Sequence, residues 1–111
     1  MIEKIILDHL NANLDVPVMM EYPAKPPEAF VVIEKTAGGE ENHIMSSMFA
    51  IQSIHKTLFK AAELNESVKA AMKNLVIHDE VSSCSLNTDY NFTDPETKRY
   101  RYQAVYDITH F

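Results

Sequence analysis

Ser83 to Thr109 reads as two strands of period two on either side of a single proline turn, and no other stretch limits the fold as tightly. Cys84, Leu86, Thr88, Tyr90 and Phe92 are expected on one face of the first strand, with Ser83, Ser85, Asn87, Asp89 and Asn91 on the other. Asp94-Pro95-Glu96-Thr97 supplies turn chemistry, since proline presets its φ and Asp can bond the backbone just ahead of it. The return strand puts Tyr100, Tyr102, Ala104, Tyr106 and Ile108 on one side. Arg99, Arg101, Gln103, Val105, Asp107 and Thr109 take the other. A lone two-stranded hairpin is marginal in water, so the rest of the chain must supply strands or helices against its apolar side.

The other segments fit that demand. Residues 1–14 predict an amphipathic helix, with Ile2, Ile5, Ile6, Leu10 and Leu14 at helical spacing. Pro17, Pro23, Pro26 and Pro27 make the next stretch an extended connection, in which Val18-Met19-Met20 adds a short edge strand. Phe30-Val31-Val32-Ile33-Glu34 predicts a buried strand, and Gly38-Gly39 marks the turn or loop after it. A partner strand runs from about His43 to Ile54, which makes a hairpin with an acidic tip. From Lys56 to Leu75 the period is helical again: Leu58, Ala61, Ala62, Val68, Ala71, Met72 and Leu75 form one stripe, and Asn65 caps its second half. The expected architecture is a single domain over residues 1–111, of α+β class. It is a mainly antiparallel sheet of four to five strands with two helices packed on one face, in the order α-(β)-β-β-α-β-β.

Charge and composition narrow the function classes. The net charge of −6 argues against a nucleic-acid binder that works by counterion release. One cysteine, Cys84, excludes an internal disulfide and a CxxC pair, which suits a reducing compartment. Acidic residues interrupt the N-terminal apolar run where a signal peptide needs continuity, so a cytosolic site of synthesis is expected. No apolar run approaches the ~20 residues of a membrane span. Of the five histidines, His43 and His78 are expected in exposed loops, His9 and His55 in packing positions, and His110 near the exposed terminus. No pair has the spacing of a metal-ligand ladder. Cys84 lacks a neighbouring cation to activate it and reads as a small core residue. The Ser82-Ser83-Cys84-Ser85 run has no nucleophile elbow. Catalytic, cofactor-binding and metal-ligating residues are therefore expected to be none. Tyr100, Tyr102 and Tyr106 with Arg99 and Arg101 suggest a single-strand nucleic-acid platform, but alternation sends the two sets to opposite faces.

Several segments carry a likeness. They are Phe30-Val31-Val32-Ile33-Glu34-Lys35-Thr36-Ala37-Gly38-Gly39, Ala50-Ile51-Gln52-Ser53, Ala61-Ala62-Glu63-Leu64-Asn65, Val68-Lys69-Ala70-Ala71-Met72, Leu86 to Asp94 and Tyr100 to Tyr106. Together they resemble the tail-completion (tail-terminator) proteins of long-tailed bacteriophages and prophages, in the same order of elements and over nearly the whole chain. The resemblance implies a non-enzymatic subunit of a ring, typically six-fold, that caps the tail tube at its head-proximal end. Its partners would be further copies of itself, in a ring in the virion with a monomer in solution as the alternative state, the major tail-tube protein and a head-completion protein. DNA would pass through the ring without specific binding. The protein would reside in the virion, and in the host cytoplasm during assembly. The family has structural signatures and no short functional motif, so no single residue's role carries over.

A closed ring needs heterologous contacts, and exposed strand edges suit them. The candidate contact residues are Gly38, Gly39, Glu40, Glu41 and Asn42 at the hairpin tip, and Arg99 and Arg101 on the last strand. Residues 28–42 carry one positive and four negative side chains, so a tip facing a lumen would repel DNA. The rival readings are a head-closure or neck protein of the same virion and a small non-enzymatic protein-binding module. The module would present a concave apolar pocket.

Overall fold

A computed structural model describes residues 1–96 and 99–111. Helix α1 spans Ile2–Asn13, strand β1 Val18–Met19, β2 Phe30–Glu41, β3 Ile44–His55, helix α2 Leu58–Met72, β4 Val81–Asn91 and β5 Tyr100–His110, with a 3-10 turn at Leu75–Ile77. The sheet order is β1-β2-β3-β5-β4, and every pairing is antiparallel except the short β1–β2 contact. This is the expected α+β class. Thr97, expected in the last turn, lies outside the described residues.

Both helices pack on one face of the sheet. Ile2, Ile6 and Leu10 from α1 and Val68, Ala71 and Met72 from α2 meet Val31, Ile33, Phe49, Ile51, Ala104, Tyr106 and Ile108 in one cluster. Helix α1 is tied to the sheet by a reciprocal amide bridge. Asn11 Nδ2 donates to the Val18 carbonyl (3.2 Å), and Asn11 Oδ1 accepts from the Val18 N–H (3.1 Å). That bridge satisfies the outer side of β1, which pairs with β2 only at Val18↔Val31 and Met19↔Val32. Thr57 caps α2, accepting from the Lys60 N–H at 3.1 Å.

Asn65 does not start a new helical segment; α2 runs through it unbroken. Its side chain is instead buried and donates to Asp89 Oδ2 (2.9 Å), which also accepts from Lys69 Nζ (3.0 Å). Asp89 can reach α2 because β4 slips register between Leu86 and Thr88. An extra residue in one strand reverses every later side chain, so the expected facing of β4 holds only as far as Leu86. Beyond it Asp89 and Asn91 turn toward the helices. Thr88, Tyr90 and Phe92 turn to the helix-free face, opposite the positions expected for them.

The β2–β3 turn also lies elsewhere than expected. Gly38 and Gly39 continue β2, paired with Ser47 and Ser46, and neither has a positive φ. The chain reverses at Asn42 and His43, whose φ values of 53° and 67° are the left-handed pair of a two-residue type I′ hairpin turn. Glycine was the stronger turn signal in the sequence, yet Asn tolerates the left-handed region and His accepts it at a cost. His110 likewise differs from expectation. It is buried because β5 extends to it, paired with Met45 and Val81, and its Nε2 lies 2.8 Å from Ser47 Oγ.

Two substitutions test this account of the turn. His43→Gly removes a side chain from a left-handed position and should stabilise by about 1 kcal/mol, raising Tm by about 4 °C. Gly39→Ala should be neutral or stabilise by up to about 0.5 kcal/mol, because a Cβ there meets only Ser46 Oγ at 3.6 Å. Thermal and urea unfolding measure both; a loss of stability in His43→Gly would place the reversal elsewhere.

Candidate subunit interface

Among the described residues the helix-free face has no second layer, and the chain covers part of it with its own connection. Phe30, Val32 and Ile54 form a second buried cluster with Met19 against it. Tyr22, from the proline-rich segment, stacks edge-on against Phe30 at 5.3 Å. Arg99 lies over the same ring at 5.6 Å and donates to the carbonyls of Pro27 (2.7 Å) and Glu28 (3.2 Å). Glu28 also faces Lys56 at 3.4 Å. Arg99 thus clamps the proline-rich segment onto the sheet, an internal role.

Next to this cluster runs a polar ladder. Gln52 Nε2 donates to Gln103 Oε1 (3.0 Å), and Gln103 Nε2 donates to the Tyr90 hydroxyl (2.6 Å). The ladder orients Tyr90, which meets Phe92 edge-on at 5.7 Å. Arg101 sits over the Phe92 ring at 4.6 Å and donates through Nε to the Phe92 carbonyl (2.8 Å). One corner of the helix-free face therefore carries Tyr90, Phe92 and Arg101 together, on the edge strand β4 and its neighbour β5.

Gly38, Gly39, Glu40, Glu41 and Asn42 gather at the diagonally opposite corner. Among the described residues no strand lies beside the outer side of β2 beyond Val32, and residues 34–46 are exposed throughout. Glu41 pairs across the hairpin with Ile44, and Glu40 with Met45, so each face of the tip presents an acid beside an apolar side chain. A shallow groove of about 500 Å³ runs beside the turn, lined by Gly39, Glu41, Asn42, Ile44 and Thr109 among others. Gly38 lies under Lys35, where a Cβ would come to 3.0 Å from the Lys35 Cε. The structure thus collects the first five candidate residues at one corner and places Arg101 at the other. Tyr90, Phe92, Ile44 and Met45 join them. Phe92 and Tyr90 were hidden by the β4 register slip, whose signal in sequence is only that Asp89 has a cation and an amide to meet on α2.

The remaining polar groups serve the fold. His9 is buried; its Nε2 donates to the Ala71 carbonyl (2.8 Å), which leaves Nδ1 to accept from His78 Nε2 (3.1 Å). His78 is therefore half-buried and bonded, where an exposed loop residue was expected. Among the described residues no group of three His, Cys, Asp or Glu side chains converges as a metal-ligand set. Among them too, no helix is long and apolar enough to cross a membrane. Burial pushes the Cys84 thiol up to about 11 and moves the Tyr106 phenol well above its ordinary value. The hydrogen bonds that Lys69 donates to Asp89 and then to Glu66 raise its pKa.

Fold and surface together define an α+β protein with helices on one face and two unlike, exposed corners on its sheet. Compared with models of known protein families and with curated protein sequences, the chain matches none.

The raised groups fix the sign of an alkaline response. Cys84, Tyr106 and Lys69 each hold a proton more tightly in the folded chain than in the unfolded one. The stability they contribute is complete below their unfolded values and is lost as pH rises through the folded ones. The urea midpoint should fall between pH 8 and pH 10.5, and Cys84→Ala should flatten the first part of that fall. An unchanged slope in Cys84→Ala would show that the thiol is not protected by the fold.

Proposed function

We propose that the chain is a structural subunit of a phage or prophage virion, a tail-completion protein that caps the tail tube and offers the head-joining surface. The observation that carries this reading is the pair of exposed corners at opposite ends of the sheet. Neither can meet the other within one chain, and each combines apolar and charged side chains in the manner of a contact surface. The outer side of β2 beyond Val32, with no strand beside it among the described residues, supports it, since a free strand edge is a template for a neighbour. So does the sequence likeness, which runs through both hairpins and α2. In this role the protein works by shape and contact, with no reaction to catalyse and no cofactor to hold. Its partners are further copies of itself, the tail-tube protein and a head-completion protein. It acts in the host cytoplasm during assembly and ends in the virion.

Tubes assembled from the tail-tube protein of the same genome provide the test. Gold-labelled protein should decorate one end of each tube in negative-stain micrographs, and its addition during assembly should stop elongation. Label spread along the tubes or absent from them, with elongation unchanged, would overturn the proposal.

A further inference from the structure

We propose that copies of this chain join corner to corner: the Glu40–Met45 tip of one docks against the Tyr90–Phe92–Arg101 corner of the next. The inference rests on the reading as a self-assembling subunit and adds which surfaces meet.

The chemistry of the two corners is complementary. The tip offers carboxylates beside aliphatic side chains, and Ile44 and Met45 are 45% and 37% exposed. The receiving corner offers a guanidinium beside aromatic rings, with Tyr90 and Phe92 at 39% and 42%. Arg101 is held by its Nε bond to the Phe92 carbonyl and by the ring beneath it. Among the described residues, its terminal nitrogens are left to bind a carboxylate. A tip-to-tip contact would instead set Glu40 and Glu41 against their own copies, and a contact between two receiving corners would set Arg101 against Arg101.

Geometry adds the direction. Ile54 pairs with Arg101 and Ile44 with Glu41, so the corners lie ten residues apart along β3, about 34 Å. They also lie on opposite edges of the sheet, because β2 and β4 are separated by β3 and β5. Contacts between unlike patches at opposite ends run head to tail. They close into a ring when the rotation between copies allows. The left-handed turn fixes the register of Glu41 against Ile44.

Charge exchange tests it on the full chain, with sedimentation and native mass spectrometry as readouts. The wild type should self-associate, more weakly as salt rises. The tip variant E40R/E41R and the corner variant R101E should each associate at least tenfold more weakly. Mixed one to one, they should recover association to within about threefold of wild type, because every contact in an alternating assembly is again between opposite charges. A wild type that stays monomeric up to about 1 mM overturns the proposal. So do single variants that associate like wild type, or a mixture that fails to recover. If R101E fails to fold, the tip variant, whose changes lie outside the core, must still lose at least tenfold. The two readings fail separately. Tube-end binding by copies that ignore these exchanges discards this interface alone, whereas correct exchange behaviour without tube-end binding discards the tail role alone.

Discussion

A sheet with helices on only one side has a second face to dispose of, and that constraint governs this protein. The helix side is conventional: α1 and α2 bury Val31, Ile33, Phe49, Ile51 and Tyr106 in a single cluster. On the other side the described residues form no second layer. The proline-rich segment folds back over Phe30 at one place, held there by Arg99, and the Gln52–Gln103–Tyr90 ladder satisfies the polar groups beside it. What remains uncovered is the corner at Tyr90 and Phe92, with Arg101 half-buried beside them.

The irregularity of β4 links the two sides. By inserting one residue between Leu86 and Thr88, the strand turns Asp89 inward to Asn65 and Lys69 and, in the same step, turns Tyr90 and Phe92 outward beside Arg101. The Asp89 cluster is partly wet, with the Lys69 side chain 23% exposed, so its role is to hold register more than to supply stability. Without the slip, Tyr90 would face the helices and an acid would stand beside the glutamine ladder. An edge strand broken in this way is also a poor template for indiscriminate pairing.

Much of this architecture was legible in the sequence because strands and helices have distinct periods. The β4–β5 hairpin, the apolar stripes of Ile2, Ile6 and Leu10 and of Ala61, Val68 and Met72, and the order of elements follow from that alone. The departures occur where two local solutions have similar energies. Gly38-Gly39 would form a turn as readily as Asn42-His43; cross-strand pairing from Phe30↔Ile54 onward decides in favour of the later pair. Alternation through Leu86-Asn87-Thr88 fits a regular strand as well as a bulged one, and only the contact with α2 selects the bulge. The exposure of Glu40 and Glu41 was legible. The clamp that Arg99 makes was not, because it depends on a segment some seventy residues away, at Pro27 and Glu28. The aromatic half of the receiving corner was hidden by the same slip that created it.

Electron cryomicroscopy of a tail-tube end carrying this protein is the most direct examination of the whole account. It should show a closed ring of copies in one layer, each Asn42–His43 turn seated against the helix-free face of its neighbour at Tyr90 and Phe92. A ring joined through α1 and α2, with the Tyr90 and Phe92 rings left in solvent, would contradict it, as would a single copy at the tube end.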